Sequence, residues 1–155
     1  MTGKSWVYIL FFILTILQFV DTQAQTIQKN YSIQWGEPYQ NTFTDGSRRE
    51  FLNFENASFG YEFHDLPTFY EAIPVDKFFT GYEVRVVSQE FEEMTAREAA
   101  LMPQDFHYQS IEYKVSSACD RNSIFAQLHF IPIVETSPGR YRKLTEVTLE
   151  ITCRQ

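Results

Sequence analysis

The sequence predicts an all-β fold, an antiparallel β-sandwich with one short helix, behind an N-terminal signal-peptide helix. Three observations carry this. Apolar residues recur at every second position in several segments, the period of a half-buried strand. Gly, Pro and Asp-Gly turn signals separate those segments at short intervals. Aromatic residues make up 17% of the chain, mostly Phe and Tyr, which suits strands and a thick sandwich core.

The chain opens on a leader. Lys4 gives a positive start, and Trp6 to Leu17 is an apolar run broken only by Thr15. Thr22-Gln23-Ala24 then offers small residues ahead of Gln25. That is the build of a secretory signal peptide over residues 1–24. The run is too short for the roughly 20 apolar residues of a membrane anchor. The expectation is therefore an exported protein of the periplasm, outer membrane or cell surface, with no transmembrane span after cleavage. Residues 25–155 have the size of one domain with its own core.

Ile27, Tyr31, Ile33 and Trp35 alternate with polar residues after a polar lead-in over 25–30, and Glu37-Pro38 ends the run. Asp45-Gly46 marks a turn, and "REFLNFENASFGYEF" from Arg49 is strand-like. A short strand over Tyr70–Val75 closes at Pro74, which lacks a ladder donor. Gly81 opens the cleanest strand of the first half, with Tyr82, Val84 and Val86 on one face and Glu83 and Arg85 on the other. At Thr95 the period changes: Thr95 and Glu98 form a capping box ahead of good helix formers, and Pro103 stops a helix of about two turns. "IEYKV", "SIFAQLHFIPIV" and "YRKLTEVTLEIT" complete seven or eight strands. The last two read as a hairpin, 123–134 against 141–152, turning at Pro138-Gly139.

The net charge of −7 argues against nucleic acid and anionic membranes as partners. Arg140, Arg142 and Lys143 are too few for a nucleic-acid surface. His64, His107 and His129 lack metal-ligand spacing, so no metal and no cofactor is expected. Cys119, in the polar stretch "SSACDRNS", has Arg121 and Asp120 beside it but no glycine-rich elbow, so no catalytic role is assigned to it. Glu92-Glu93 reads as a solvated face. Cys119 and Cys153 are compatible with one disulfide or with two buried, unpaired thiols, since the hairpin would set Cys153 near, but not at, Cys119. Asn30-Tyr31-Ser32 and Asn56-Ala57-Ser58 match the glycosylation sequon, which matters only in a eukaryotic secretory route. The aromatic, proline-marked segment with Leu66, Pro67, Phe69 and Tyr70 is the candidate interaction surface, because rigid aromatics anchor interfaces; ordinary core is the rival reading.

Two segments carry a family resemblance. "DLPTFYEAIPVDKFFTGYEVRVVSQEFEEMTAREAALM", Asp65 to Met102, has Leu-Pro, an aromatic strand, Ile-Pro and then G-x-x-V-x-V. "SIFAQLHFIPIVETSPGRYRKLTEVTLEIT", Ser123 to Thr152, has F-I-P-I and Gly-Arg-Tyr at the turn. Together they resemble the N-terminal, propeptide-like domain of gingipain-type (family C25) cysteine peptidases, nearest to the type IX secretion system sortase (PorU-like). The resemblance implies a β-rich domain ahead of a catalytic domain with His and Cys, and no residue here matches that catalytic motif. It implies a non-enzymatic module that contacts a C25-type peptidase domain or type IX outer-membrane components, as a fragment or a free-standing copy. The alternative is a generic extracytoplasmic binding or adhesion module for peptide or glycan.

Overall fold

The computed structural model describes residues 24–154 except Tyr61; the leader read over 1–24 lies outside them apart from Ala24. Among the described residues nine strands and one helix follow in the order β1 (Gln25–Ser32), β2 (Tyr39–Thr42), β3 (Arg48–Phe51), β4 (Phe69–Val75), β5 (Gly81–Glu93), α1 (Ala96–Ala99), β6 (Lys114–Asp120), β7 (Ser123–Phe130), β8 (Ile133–Ser137) and β9 (Arg140–Arg154). Strands β1-β9-β5 form one sheet, with β8 also paired to β9. Strands β4-β7-β6 form the second, and β2-β3 stand as a separate two-stranded sheet. Every pairing is antiparallel. The expected all-β sandwich with a short helix is what the chain forms.

The two larger sheets share one core. Val147, Leu149, Ile151 and Cys153 of β9 face Ile73 of β4 and Ala126, Leu128 and Phe130 of β7. The alternation read in β9 is met, with a correction at its start. The β5–β9 register skips one residue between Glu90 and Phe91, opposite Glu146 and Leu144, so Leu144 turns into the core out of phase with Val147. A second irregularity, between Val86 and Ser88, leaves Val86 and Val87 exposed, so the clean face read over Tyr82–Val86 ends at Val84. Polar residues 25–30 prove to be strand: β1 pairs with β9 along its length, and only its odd positions are half-buried.

The largest departure is at Ile131-Pro132. Segment 123–134 does not run as one strand against 141–152. The chain leaves the β4-β7-β6 sheet after Phe130 and joins the other sheet at Ile133, whose partner is Lys143. Pro132 is fully buried at the crossing and its carbonyl accepts from Leu144 N at 2.8 Å. A proline has no N–H for a continuous ladder, so the ladder breaks there and both halves find new partners. Pro74, by contrast, lies inside β4, which is an edge strand and tolerates it.

Helix α1 is one turn rather than two. Its capping box forms as read: Thr95 Oγ1 accepts from Glu98 N at 3.2 Å, and Glu98 Oε2 accepts from Thr95 N at 2.7 Å. Glu98 is buried, and its second oxygen holds Lys143 Nζ at 2.5 Å. Lys143 also meets Glu92 at 2.8 Å and lies over the Trp35 ring. Burial alone would raise the Glu98 pKa; Lys143 and the Thr95 donors outweigh it and hold the carboxyl below its ordinary value.

Candidate interaction surface

The β2–β3 hairpin is where the surface departs most from a solvated sandwich. Sequence makes it a hairpin through the turn: Asp45 Oδ1 accepts from Ser47 N at 2.9 Å and Ser47 Oγ at 2.7 Å, and Phe43 N bonds Ser47 O at 2.9 Å. All four residues of β2 are exposed. Tyr39 opposes Phe51, and their rings stack at 5.6 Å. Phe59 meets both edge-on, at 6.0 Å from Tyr39 and 6.2 Å from Phe51. Phe43 lies 6.3 Å from Phe51, with the Arg49 guanidinium 5.5 Å over its ring. Phe51 is buried, while Tyr39, Phe43 and Phe59 are 38%, 40% and 37% exposed.

Three part-exposed rings around a buried fourth form a contiguous apolar patch, not scattered surface aromatics. Among the described residues β2 pairs with β3 alone, and a two-stranded sheet is marginal by itself. What holds it is its base. Arg97 of α1 reaches Glu50 at 2.8 Å and Glu37 at 3.9 Å. Trp35 bridges to Phe54, and its Nε1–H donates to the Leu144 carbonyl at 2.7 Å.

The expected surface at Leu66, Pro67, Phe69 and Tyr70 is divided by the fold. Leu66 and Pro67 are fully buried, so neither is available for contact. Phe69 is half-buried, stacked on Phe130 at 4.8 Å and tilted against Tyr31 at 4.9 Å. Only Tyr70, outward on β4, is exposed. The hairpin was missed because Tyr39 and Phe43 sit in a polar stretch without period-two alternation. The available signal was aromatic residues flanking an Asp-Gly turn.

The other candidates are also placed. Cys119 and Cys153 are both free, so the disulfide is not formed: Cys119 is exposed and pairs with Ile124 at the end of β6, and Cys153 is buried in the other sheet between Gln25 and Tyr82. The polar stretch around Cys119 is strand plus a tight turn, with Arg121 at φ 48°. Ile124 is five positions along β7 from His129, roughly 17 Å of strand, so thiol and imidazole are not adjacent. His64 is exposed, and His107 Nδ1 lies 3.0 Å from Glu135. His129 is buried, and burial, then the Lys114 charge, lowers its pKa. Glu92 and Glu93 pair across the sheet with Lys143 and Arg142. Among the described residues no group of three or more His, Cys, Asp or Glu is placed to hold a metal ion. Nor is any described helix long and apolar enough to cross a membrane.

The fold is shared with chains of two gingipain structures. It is similar to a chain of the complex of RgpB pro- and mature domains from Porphyromonas gingivalis, with TM-score 0.55 and 14% identity, covering 89% of this chain and 85% of that one. It is also similar to gingipain K of the same organism, in a structure of its zymogenic latency, with TM-score 0.56 and 14% identity, over 88% of this chain and 95% of that one. No family model and no curated protein matches the sequence.

Proposed function

We propose that this chain is a non-catalytic, exported pro-domain-like module that acts by docking on a C25-type cysteine peptidase domain. The observation that carries the reading is a shared architecture over nearly nine-tenths of the chain with gingipain chains studied as a pro-domain complex and a latent zymogen. The sequence resemblance adds the type IX sortase branch as the nearest setting, with outer-membrane secretion components as further partners. The hairpin supplies the contact: aromatic side chains bring large area at low entropic cost, and a central ring ordered by its neighbours suits an interface core.

The test pairs the purified chain with the C25-type peptidase domains encoded in the same genome. Co-elution on size exclusion at about 10 μM and slowed peptide hydrolysis are the expected results. Replacing Tyr39, Phe43 and Phe59 together by alanine should abolish both while leaving the fold intact. Absence of a complex with every such domain overturns the reading.

A further inference from the structure

The aromatic face of the β2–β3 hairpin carries one charged strand residue. Register puts Tyr39 opposite Phe51 and Asn41 opposite Arg49, and alternate residues of a strand share a face. Arg49 therefore projects on the side of the rings, with its guanidinium 5.5 Å over Phe43. Arg48 and Glu50 project on the other side, where Arg97 of α1 meets Glu50 at 2.8 Å. Helix α1 thus holds the hairpin by the face opposite to Arg49.

Arg49 is exposed, and its charge has no carboxylate. Arg85, Arg97, Arg142 and Arg154 each hold one, from Glu150, Glu50, Glu93 and Glu83. Among the described residues no ion pair or hydrogen bond takes the Arg49 donors. The Asp45 carboxyl is held below its ordinary value mainly by the bonds from Ser47, with the Arg49 charge a small addition, and its Oδ1 is turned to Ser47. A cation ordered on one ring, beside three part-exposed rings, has the composition of an interface hot spot, where Arg and Tyr are enriched. On a chain of net charge −7 it is also a basic point inside an apolar patch, which sets the register of a partner as well as attracting it.

We propose that Arg49 is the polar anchor of the hairpin patch and receives a carboxylate, from an Asp or Glu that the partner peptidase domain presents within an apolar surface. The guanidinium offers two parallel N–H donors to one carboxylate. Phe43 fixes its position beforehand, which reduces the rotamer freedom lost on contact. Arg49 lies within a strand and along a ring, so it meets the carboxylate side-on at the surface. Lysine does not replace it, because an ammonium is a strongly hydrated point charge without the paired donors. The assignment rests on the docking role proposed above and adds the chemistry of the partner's face.

The parent chain and its variants are titrated by calorimetry against the C25-type peptidase domains encoded in the same genome. Arg49→Gln should weaken the complex about thirtyfold, and Arg49→Lys about tenfold. Arg48→Gln removes the same charge from the opposite face of the same strand and should stay within about twofold of the parent. Raising NaCl from about 0.05 to 0.5 M should weaken the parent more than Arg49→Gln. Carbodiimide treatment of the Arg49→Lys complex should join the introduced amine to an Asp or Glu of the peptidase, read by mass spectrometry of the digested product. If Arg49→Gln melts early, Arg49→Lys and its cross-link decide alone. Equal affinities for Arg49→Gln and Arg48→Gln, or a complex that forms without the cross-link, overturn the assignment and leave the docking role standing. No complex with any of these domains overturns both.

Discussion

Lys143→Met tests the buried ion pair that pins α1 to β9. Methionine keeps most of the stem and its packing on Trp35 and removes only the ammonium. Glu98 is then left 6% exposed, keeping Thr95 N and Thr95 Oγ1 but losing its one charged partner. Breaking a buried pair from one side costs about 3–5 kcal/mol, because the remaining charge stays desolvated. The Thr95 donors place the expectation near the lower end, about 3 kcal/mol. Glu98→Gln should cost less, about 1–2 kcal/mol, since the amide oxygen still accepts from Thr95 and Lys143 keeps the exposed Glu92. The double variant should be less destabilised than the sum by about 2 kcal/mol, the coupling of a direct contact. Urea unfolding at pH 7 of all four proteins gives the cycle. The linked pH profile has a definite sign. The folded pKa of Glu98 is depressed, so its contribution is complete above the ordinary value of 4.5 and is lost as pH falls through the folded value. Acid sensitivity should therefore shrink in Glu98→Gln. A Lys143→Met loss below about 1 kcal/mol, or additive single effects, would refute the buried-pair account.

Further outcomes can be checked on the same material. Arg121 holds φ 48° in the two-residue turn between β6 and β7, so Arg121→Gly should be neutral to stabilising, up to about 1 kcal/mol by thermal melt. In the native chain a maleimide should label Cys119 within minutes and Cys153 only on unfolding, since burial both shields the Cys153 thiol and raises its pKa. Trp35→Phe should cost about 1–2 kcal/mol by urea titration, because it leaves the Leu144 carbonyl without its side-chain donor. Tyr39→Ala, Phe43→Ala and Phe59→Ala should each change stability by less than about 1 kcal/mol while weakening any complex tenfold or more, as in an interface core rather than a fold core.

Much of the architecture was readable because it follows from local rules. Alternation in β9 and the Thr95–Glu98 box need only neighbours in sequence, and both formed. What escaped depends on contacts between distant segments. The split at Pro132 assigns β7 and β8 to different sheets, and no pattern within 123–134 says which partner each half will choose. The burial of Leu66 likewise reflects what closes over it, Phe106 and Ile131 among others in the same cluster. Free Cys119 and Cys153 follow from that same split, since the assumed hairpin was what brought them near. The hairpin patch was invisible for the opposite reason: its aromatic residues lack a core face, and a core face is what periodicity detects.

The placement of polar groups explains how such a patch persists without collapsing onto the sandwich. A hairpin carrying three of the four clustered rings lowers its free energy by burying them, and a loosely attached one would fold inward. Here its base is fixed from two directions. Trp35 is tied to β9 through Leu144 and packs edge-on to Phe54, while Arg97 holds Glu50 from a helix itself pinned by Glu98 and Lys143. A surface ordered before contact loses less conformational entropy on binding. Loosening the base should therefore weaken docking even with every aromatic ring intact. Arg97→Ala, which leaves every ring in place and costs little stability as an exposed pair, separates this from a purely apolar account. If the aromatic rings alone determine affinity, Arg97→Ala binds as the parent does; if presentation matters, it dissociates faster with an unchanged association rate.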